Sequence, residues 1–313
     1  LPLTSIERPP RRNMVTVGGI GLTLLVLAVL VVAVLIAYLL VTMLSGEFNG
    51  SLTVVPELRW EPFIFEDPLG GKIVLWPYLP CIRVPSKMRP REWDGLALIS
   101  SQDEISSLRE EERQEIESPG VHVDSAAVSG TTLGMLVRNL SELDIEGPFI
   151  PDPEKIRLLR HAENSRGGMP IYAIEPGIDD PEWADWQLRW ADEQVRFRNL
   201  LATLGRPRRW SRVRKGAIGK VAHSKLASPD LGAASTVCAA WWAEESMCLT
   251  KELTFERDSR FSSRIRGALS NLRDSGGDWD EGGPTLLVPV QQAHVPSLEN
   301  SLIACESVES LEM

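Results

Sequence analysis

Hydrophobic residues are concentrated in one segment near the start of the chain. Residues 13–46 contain no charged side chain, and seventeen of the twenty-five residues from Ile20 to Leu44 are Leu, Val or Ile. A helix of a water-soluble domain keeps one polar face, and this segment has none. About 20 apolar residues are enough to cross a bilayer as a helix. The pattern predicts a transmembrane helix over 13–46 that acts as an uncleaved signal anchor.

Charges beside this segment predict its orientation. Arg8, Arg11 and Arg12 precede it, whereas on the other side Glu47 comes before the first basic residue. The positive-inside rule therefore places residues 1–12, a disordered basic arm, inside, and the large C-terminal part across the membrane. The chain begins with Leu rather than Met, which favours a processed subunit of an organellar inner membrane among the compartments that fit.

Past the predicted span the hydrophobic pattern divides the chain into three further regions. Residues 47–99 hold short strand-like runs separated by Pro and Gly, with a hairpin connection at 68–71. Residues 100–273 show helical patterns, and residues 274–313 hold eight acids and no Lys or Arg. The predicted fold class is a single-pass transmembrane helix plus an α+β, mainly helical, extramembrane domain, followed by an acidic disordered C-terminal tail, with 285–290 as a short added strand.

Two helices in the central region have clear start signals. Ser101 and Glu104 form a capping box in which each side chain bonds the other residue's backbone amide, and the helix is predicted to run to about Glu117. Asp152 caps a helix with Pro153 at its first position, predicted to run to about residue 164.

A third helix carries a row of tryptophans. Asp179 or Asp180 caps it, Pro181 opens it, and Gly205 ends it. Trp183, Trp186 and Trp190 recur at three- and four-residue steps and form one apolar stripe. The stripe is either the domain's core face or, because aromatic anchors are enriched at interfaces, a partner-binding face.

A dense basic stretch follows this helix. Residues 206–220 hold seven positive charges and no acid, and their Pro and Gly content predicts a loop. Such a loop fits an acidic protein or anionic lipid, or pairs with acids of the same chain. The formal charge of −10 on the whole chain argues against nucleic acid as a partner. The partner-interface candidates here are Arg208, Arg209, Arg212, Arg214 and Lys215.

No motif in the sequence predicts a reaction. The four histidines occupy no metal-ligand or catalytic frame, and the four cysteines form no CxxC pair. Asp278 and Asp280 form a DxD pair, which in sugar-nucleotide transferases holds a divalent metal, but they lie in a Gly-rich acidic stretch. The sequence therefore predicts no catalytic residue, no cofactor and no metal ligand.

The combination of an anchor, a Trp-rich helix and a basic loop favours a non-enzymatic function. The prediction is an accessory or structural subunit, or scaffold, of a membrane protein complex, bound to other membrane subunits through the transmembrane helix and the Trp-rich helix. One alternative is a membrane-tethered type II enzyme, glycosyltransferase-like, that uses Asp278 and Asp280. Another is a viral or cell-surface envelope component, glycosylated at the Asn139 sequon.

Overall fold

The computed structural model describes residues 25–38, 55–277, 279 and 282–311. Its chain divides into two compact units, one up to Leu52 and one from Thr53 onward. In the first unit, residues 25–38 form a helix, α1. All other elements given below belong to the second unit.

The predicted transmembrane helix over 13–46 is wrong. Among the described residues no helix is both long and apolar enough to cross a membrane. Residues 25–38 of α1 span about 21 Å at 1.5 Å per residue, against a hydrocarbon core of about 30 Å. The predicted single-pass membrane location and signal anchor both depended on that helix, so the structure does not support them either. The rest of 13–46 lies outside the described residues.

A five-stranded mixed sheet forms the centre of the second unit. Its strands are β1 (Phe63–Glu66), β2 (Lys72–Tyr78), β3 (Gly95–Leu98), β4 (Ile171–Ala173) and β5 (Thr285–Gln291). The spatial order is β1-β2-β5-β3-β4, in which β1 is antiparallel to β2 and all other neighbours are parallel. The chain is therefore a mixed α/β protein, which corrects the predicted α+β class.

Helices surround this sheet. They are α2 (Gln102–Glu117), α3 (Val121–Val128), α4 (Thr132–Leu140), α5 (Pro153–Asn164), α6 (Pro181–Val195), α7 (Phe197–Leu204), α8 (Arg206–Ala217), α9 (Pro229–Glu245), α10 (Lys251–Asp274) and α11 (Val295–Ala304). The capping box at Ser101 and the cap at Asp152 are confirmed, and both helices end where predicted. The hairpin between β1 and β2 is confirmed as well.

Two local predictions about helices are wrong. The Trp-rich helix is interrupted at Arg196, whose backbone is not helical, so α6 and α7 are separate. The basic stretch is not a loop, because Arg206 to Ala217 form α8. Pro207 lies in the first turn of that helix, where its missing N–H removes no intrahelical bond.

The prediction of a disordered C-terminal tail is wrong for the described residues. β5 lies between β2 and β3, and α11 follows it. Beyond α11 the chain runs along α10, where Glu309 N donates to Ser263 O at 3.1 Å and Asn271 Nδ2 donates to Leu311 O at 2.9 Å. Backbone hydrogen bonds and arginine side chains of α10 bind this segment. These contacts take the place of the water that would surround a disordered acidic tail.

Gly267 is the point where α10 and this C-terminal segment come closest. A Cβ atom at Gly267 would overlap the carbonyl oxygen of Glu309, a backbone atom that can move only if the whole segment moves. We expect Gly267→Ala to detach residues 305–311 from α10, although alanine favours helix more than glycine does. Limited proteolysis should show new cleavage after Glu306 or Glu309, whereas Gly216→Ala, at a site open around its Cβ, should show none. Protection of the segment in both variants would contradict the expectation.

The parallel strands are buried on both faces, as in most α/β sheets. One face packs against α6, α10 and α11 in a cluster that includes Ile73, Leu75 and Val288. The other face packs against α2 and α5 in a cluster that includes Leu98 and Leu287. A further apolar cluster joins α4, α8 and α9 beside the sheet.

Candidate functional site

A cavity of about 220 Å³ lies at the carboxyl ends of the parallel strands. Tyr78 and Gln291, the last residues of β2 and β5, line it, as do Ile99 and Glu175, which follow β3 and β4. In open α/β sheets, ligands bind in the crevice outside these strand ends. The other lining residues come mostly from helices and include Lys155, Trp183, Trp186, Trp190, Trp242, Glu245, Ser246, Arg257, Phe261 and His294.

Glu175 is held at the cavity by the end of β4. Its backbone N–H donates to Ser100 O at 3.3 Å, which continues the pairing of β4 with β3, and Trp183 Nε1 donates to Glu175 Oε1 at 3.3 Å. Burial and the nearby Glu104 carboxylate raise the pKa of Glu175 to about 7. Trp183, Lys155 and Arg257 act in the opposite direction but do not cancel the effect of burial. The carboxyl group is therefore poised to give or take a proton near neutral pH.

A buried network of charged and polar groups lies behind one wall of the cavity. Asp258 Oδ1 accepts from Arg257 Nε at 2.9 Å and from His294 Nε2 at 2.9 Å, and Ser297 Oγ donates to Asp258 Oδ2. Arg257, Asp258 and His294 are each less than 10% exposed. The Trp242 ring stacks on His294 with 4.6 Å between centroids and lies 5.4 Å from Arg257 Cζ. The guanidinium is thus fixed in position by a carboxylate and an indole.

The charges of this network follow from its burial and its contacts. Burial raises the pKa of Asp258, but His294 and Arg257 outweigh it and hold that pKa well below its usual range. Burial lowers the pKa of His294; Asp258 opposes this and Arg257 adds to it. The imidazole is accordingly neutral near pH 7, and Arg257 is the cation that keeps Asp258 ionised.

Lys155 supplies a second cation at the cavity. It lies in the first turn of α5, where Asp152 Oδ1 accepts from the backbone N–H groups of Glu154 and Lys155 at 3.1 Å each. Asp152 Oδ2 also accepts from Cys81 N at 3.0 Å, which ties α5 to the loop after β2. Lys155 Nζ donates to Ser100 Oγ at 3.1 Å, beside the end of β3. The confirmed helix cap therefore places a lysine at the site.

The three tryptophans of the predicted stripe, for which a core face and a partner-binding face were both open, form the aromatic wall of this cavity. Trp183 and Trp186 are buried, and their rings are parallel with 4.4 Å between centroids. Trp186 Nε1 donates to Leu253 O at 3.0 Å, and Trp190 is tilted against Trp186 at 5.6 Å. Their stripe faces the interior, as expected for a core helix.

The basic candidates lie elsewhere, on α8, and are divided between two environments. Arg209 forms two hydrogen bonds to the buried Glu244 carboxylate, at 2.8 and 2.6 Å, and Arg214 donates to Asn139 Oδ1 at 2.9 Å. Arg208, Arg212 and Lys215 are exposed. Arg209 thus forms an ion pair with an acid of the same chain, which was one of the alternatives for the basic stretch.

Four cavity residues were not singled out by the sequence: Lys155, Glu175, Arg257 and His294. A usable signal existed for Glu175, since it follows the short apolar run of β4 at the end of the strand where ligands bind. His294 lies just beyond β5, in the region predicted to be disordered. No local spacing connects these residues, because the topology of the sheet brings them together.

The structure gives less information about the other candidate sites, which are a metal site, the DxD pair and the glycosylation sequon. Among the described residues no group of three or more His, Cys, Asp or Glu side chains is placed to hold a metal ion. Asp278 and Asp280 lie outside the described residues. Asn139 Nδ2 donates to Met135 O at 2.9 Å.

The geometry of the cavity is the sole basis for assigning a function, because comparison with protein families, with curated proteins and with solved structures gave no match.

Proposed function

We propose that this protein is an enzyme that hydrolyses an ester or amide bond of a small molecule in the cavity at the strand ends, with Glu175 as general acid and base. The observation that carries the proposal is one carboxyl group, half-buried against indole rings, that shares a small cavity with two fixed cations. Acid–base enzymes place a proton-transfer group and a charge-stabilising group around one reacting atom.

The residues divide the reaction between them. The Glu175 carboxylate removes a proton from a water molecule as the water oxygen adds to the carbonyl carbon of the substrate. The carbonyl oxygen gains negative charge, which Arg257 and Lys155 stabilise. The carbon–oxygen or carbon–nitrogen bond then breaks, and Glu175 returns its proton to the leaving group. An acid and an alcohol or amine result.

The surrounding side chains support these steps without reacting. Asp258 and His294 hold the Arg257 guanidinium, so they are positioning residues. The indole rings lower the local polarity, which strengthens the attraction between a developing oxyanion and the two cations. The same apolar wall favours the neutral form of Glu175, which is the form needed to protonate a leaving group.

The test is hydrolysis of 4-nitrophenyl acetate and 4-nitrophenyl benzoate by the purified protein. We expect turnover that rises with pH through about 7, as Glu175 becomes ionised, and that is lost in Glu175→Gln. Glu245→Gln is the matched control, since Glu245 also lines the cavity but is exposed and bonded to Thr132. Equal turnover by the wild type and Glu175→Gln, or no turnover of either ester, would refute the proposal.

A second candidate function, assembly with other protein subunits, draws support from α7. Phe197, Leu200 and Leu204 are 61%, 51% and 66% exposed, whereas Ala202 on the opposite side is buried. This helix therefore turns its apolar face outward, the reverse of an ordinary surface helix. The proposal that the protein assembles with further copies of itself rests on this face.

Self-association through α7 can be measured directly. We expect the wild-type protein to sediment as an oligomer and Leu200→Asp to sediment as a monomer, because a charge would be buried in the contact. Leu188→Asp, at an exposed apolar position of α6, is the control. Identical sedimentation of the wild type and Leu200→Asp would exclude self-association through this face.

A further inference from the structure

The contacts of Arg257 leave part of its guanidinium free to bind a ligand. Nε and Nη2 contact Asp258 Oδ1 at 2.9 and 2.8 Å, and Nη2 lies 3.2 Å from His294 Nε2. Nη1 takes part in none of these contacts, and Arg257 lines the cavity. A guanidinium fixed on one side by a carboxylate presents its remaining N–H groups in a constant direction, which favours a planar anion.

Lys155 offers donors to the same cavity. Its bond to Ser100 Oγ at 3.1 Å uses one of the three N–H groups of the ammonium. Ser100 is buried, so it holds the lysine at the end of β3. Two cations that line one cavity would attract an anionic group between them.

The acids of the cavity do not offset these cations fully. Glu245 lies at the exposed rim and accepts a hydrogen bond from Thr132. Asp258 is already bonded to Arg257, His294 and Ser297, and it lies behind the wall. Glu175 accepts a hydrogen bond from Trp183 Nε1, and its pKa of about 7 means that it carries only part of a negative charge at pH 7.

The size and aromatic content of the cavity limit the rest of the ligand. At about 220 Å³ it is smaller than pockets for drug-sized molecules, which begin near 300 Å³. Trp186 and Trp190 form a wall on which a flat ring can stack. Trp190 Nε1 has no hydrogen-bond partner among the described residues and can donate to a ligand oxygen.

We infer that the cavity binds a small aromatic carboxylate, with its ring on Trp186 and Trp190 and its carboxylate between Arg257 and Lys155. This inference rests on the proposed function and names its substrate class, since hydrolysis of an ester or amide of an aromatic carboxylic acid releases such a carboxylate. The groups that stabilise the oxyanion during the reaction then hold the product acid.

The test compares three probes of similar shape and different charge: benzoate, benzamide and benzylammonium. Calorimetry and tryptophan fluorescence at pH 7 should show benzoate binding most tightly and benzylammonium least. Lys155→Met should weaken benzoate binding about 10- to 100-fold, the loss expected for a charged hydrogen bond. Lys225→Met, at an exposed lysine, should leave it unchanged. Arg257→Gln should act like Lys155→Met, with circular dichroism to confirm folding.

The outcomes separate this inference from the proposed function. Tightest binding of benzylammonium would mean that the indoles and acids form a cation site, and equal or absent binding of all three probes would also overturn the inference. If 4-nitrophenyl esters are hydrolysed but benzoate does not bind, the substrate class is wrong and the hydrolytic function stands. If Glu175→Gln and the wild type both bind benzoate but neither turns over an ester, the anion site stands and the hydrolytic function is wrong.

Discussion

Asp258→Asn should lower the free energy of unfolding by about 3 to 5 kcal/mol, the loss expected when one partner of a buried ion pair is removed. Asparagine keeps the size of the side chain but not its charge. Arg257 would remain charged and buried without a counterion, and His294 and Ser297 would lose a charged acceptor. Chemical denaturation at pH 7 measures the change.

Two further variants show whether the loss comes from the unpaired charge. Arg257→Met together with Asp258→Asn removes both charges, so this double variant should be more stable than Asp258→Asn alone. Asp185→Asn breaks the pair of Asp185 with Arg189, which is exposed, and should change stability little. A double variant no more stable than Asp258→Asn would show that packing, rather than charge, dominates at this site.

Glu175 should make the protein less stable as the pH rises from about 4.5 to about 7. Its carboxyl group has a pKa of about 7 when folded and about 4.5 when unfolded, so the folded state binds more protons between these values. Stability contributed by the protonated form is complete below pH 4.5 and is lost as the pH rises through 7. The total change is about 3 kcal/mol.

Comparison with Glu175→Gln isolates this effect. Glutamine does not titrate, so the stability of the variant relative to the wild type should increase by about 3 kcal/mol between pH 4.5 and pH 8. The groups that set the pKa, Glu104, Lys155, Arg257 and Trp183, are present in both proteins. Parallel stability curves for the two proteins would show that Glu175 titrates normally.

Elements with local chemical signals were predictable from the sequence. Ser101 and Asp152 cap their helices through side-chain bonds that span three residues or fewer, and both predictions are confirmed. The interruption at Arg196 and the helical form of the basic stretch carry no such signal. Helix α8 is stabilised by packing against α9 and by the contact of Arg209 with Glu244, which lies far away in sequence.

The hydrophobic pattern failed where tertiary structure decides. The apolar segment at 13–46 was interpreted as a transmembrane helix from its composition, but no helix among the described residues is long and apolar enough to cross a membrane. The short strand predicted over 285–290 is confirmed as β5, but it was placed in a disordered tail because acids and glycines flank it. In the structure all seven of its residues pair with β2, and Leu286 and Leu287 also pair with β3. The candidate site shares this origin, since Lys155, Glu175, Arg257 and His294 meet only when β5 completes the sheet.

The position of β5 between β2 and β3 has a consequence for synthesis on the ribosome. β2 and β3 are synthesised early but do not pair with each other. Both pair with β5, which is complete only after residue 291 has been translated. Until then, the apolar strand edges remain unpaired and open to association with other nascent chains. Pairing across some two hundred residues also slows folding. A chaperone that shields these edges during translation should therefore raise the yield of folded protein. A chain whose synthesis ends before residue 285 should be insoluble.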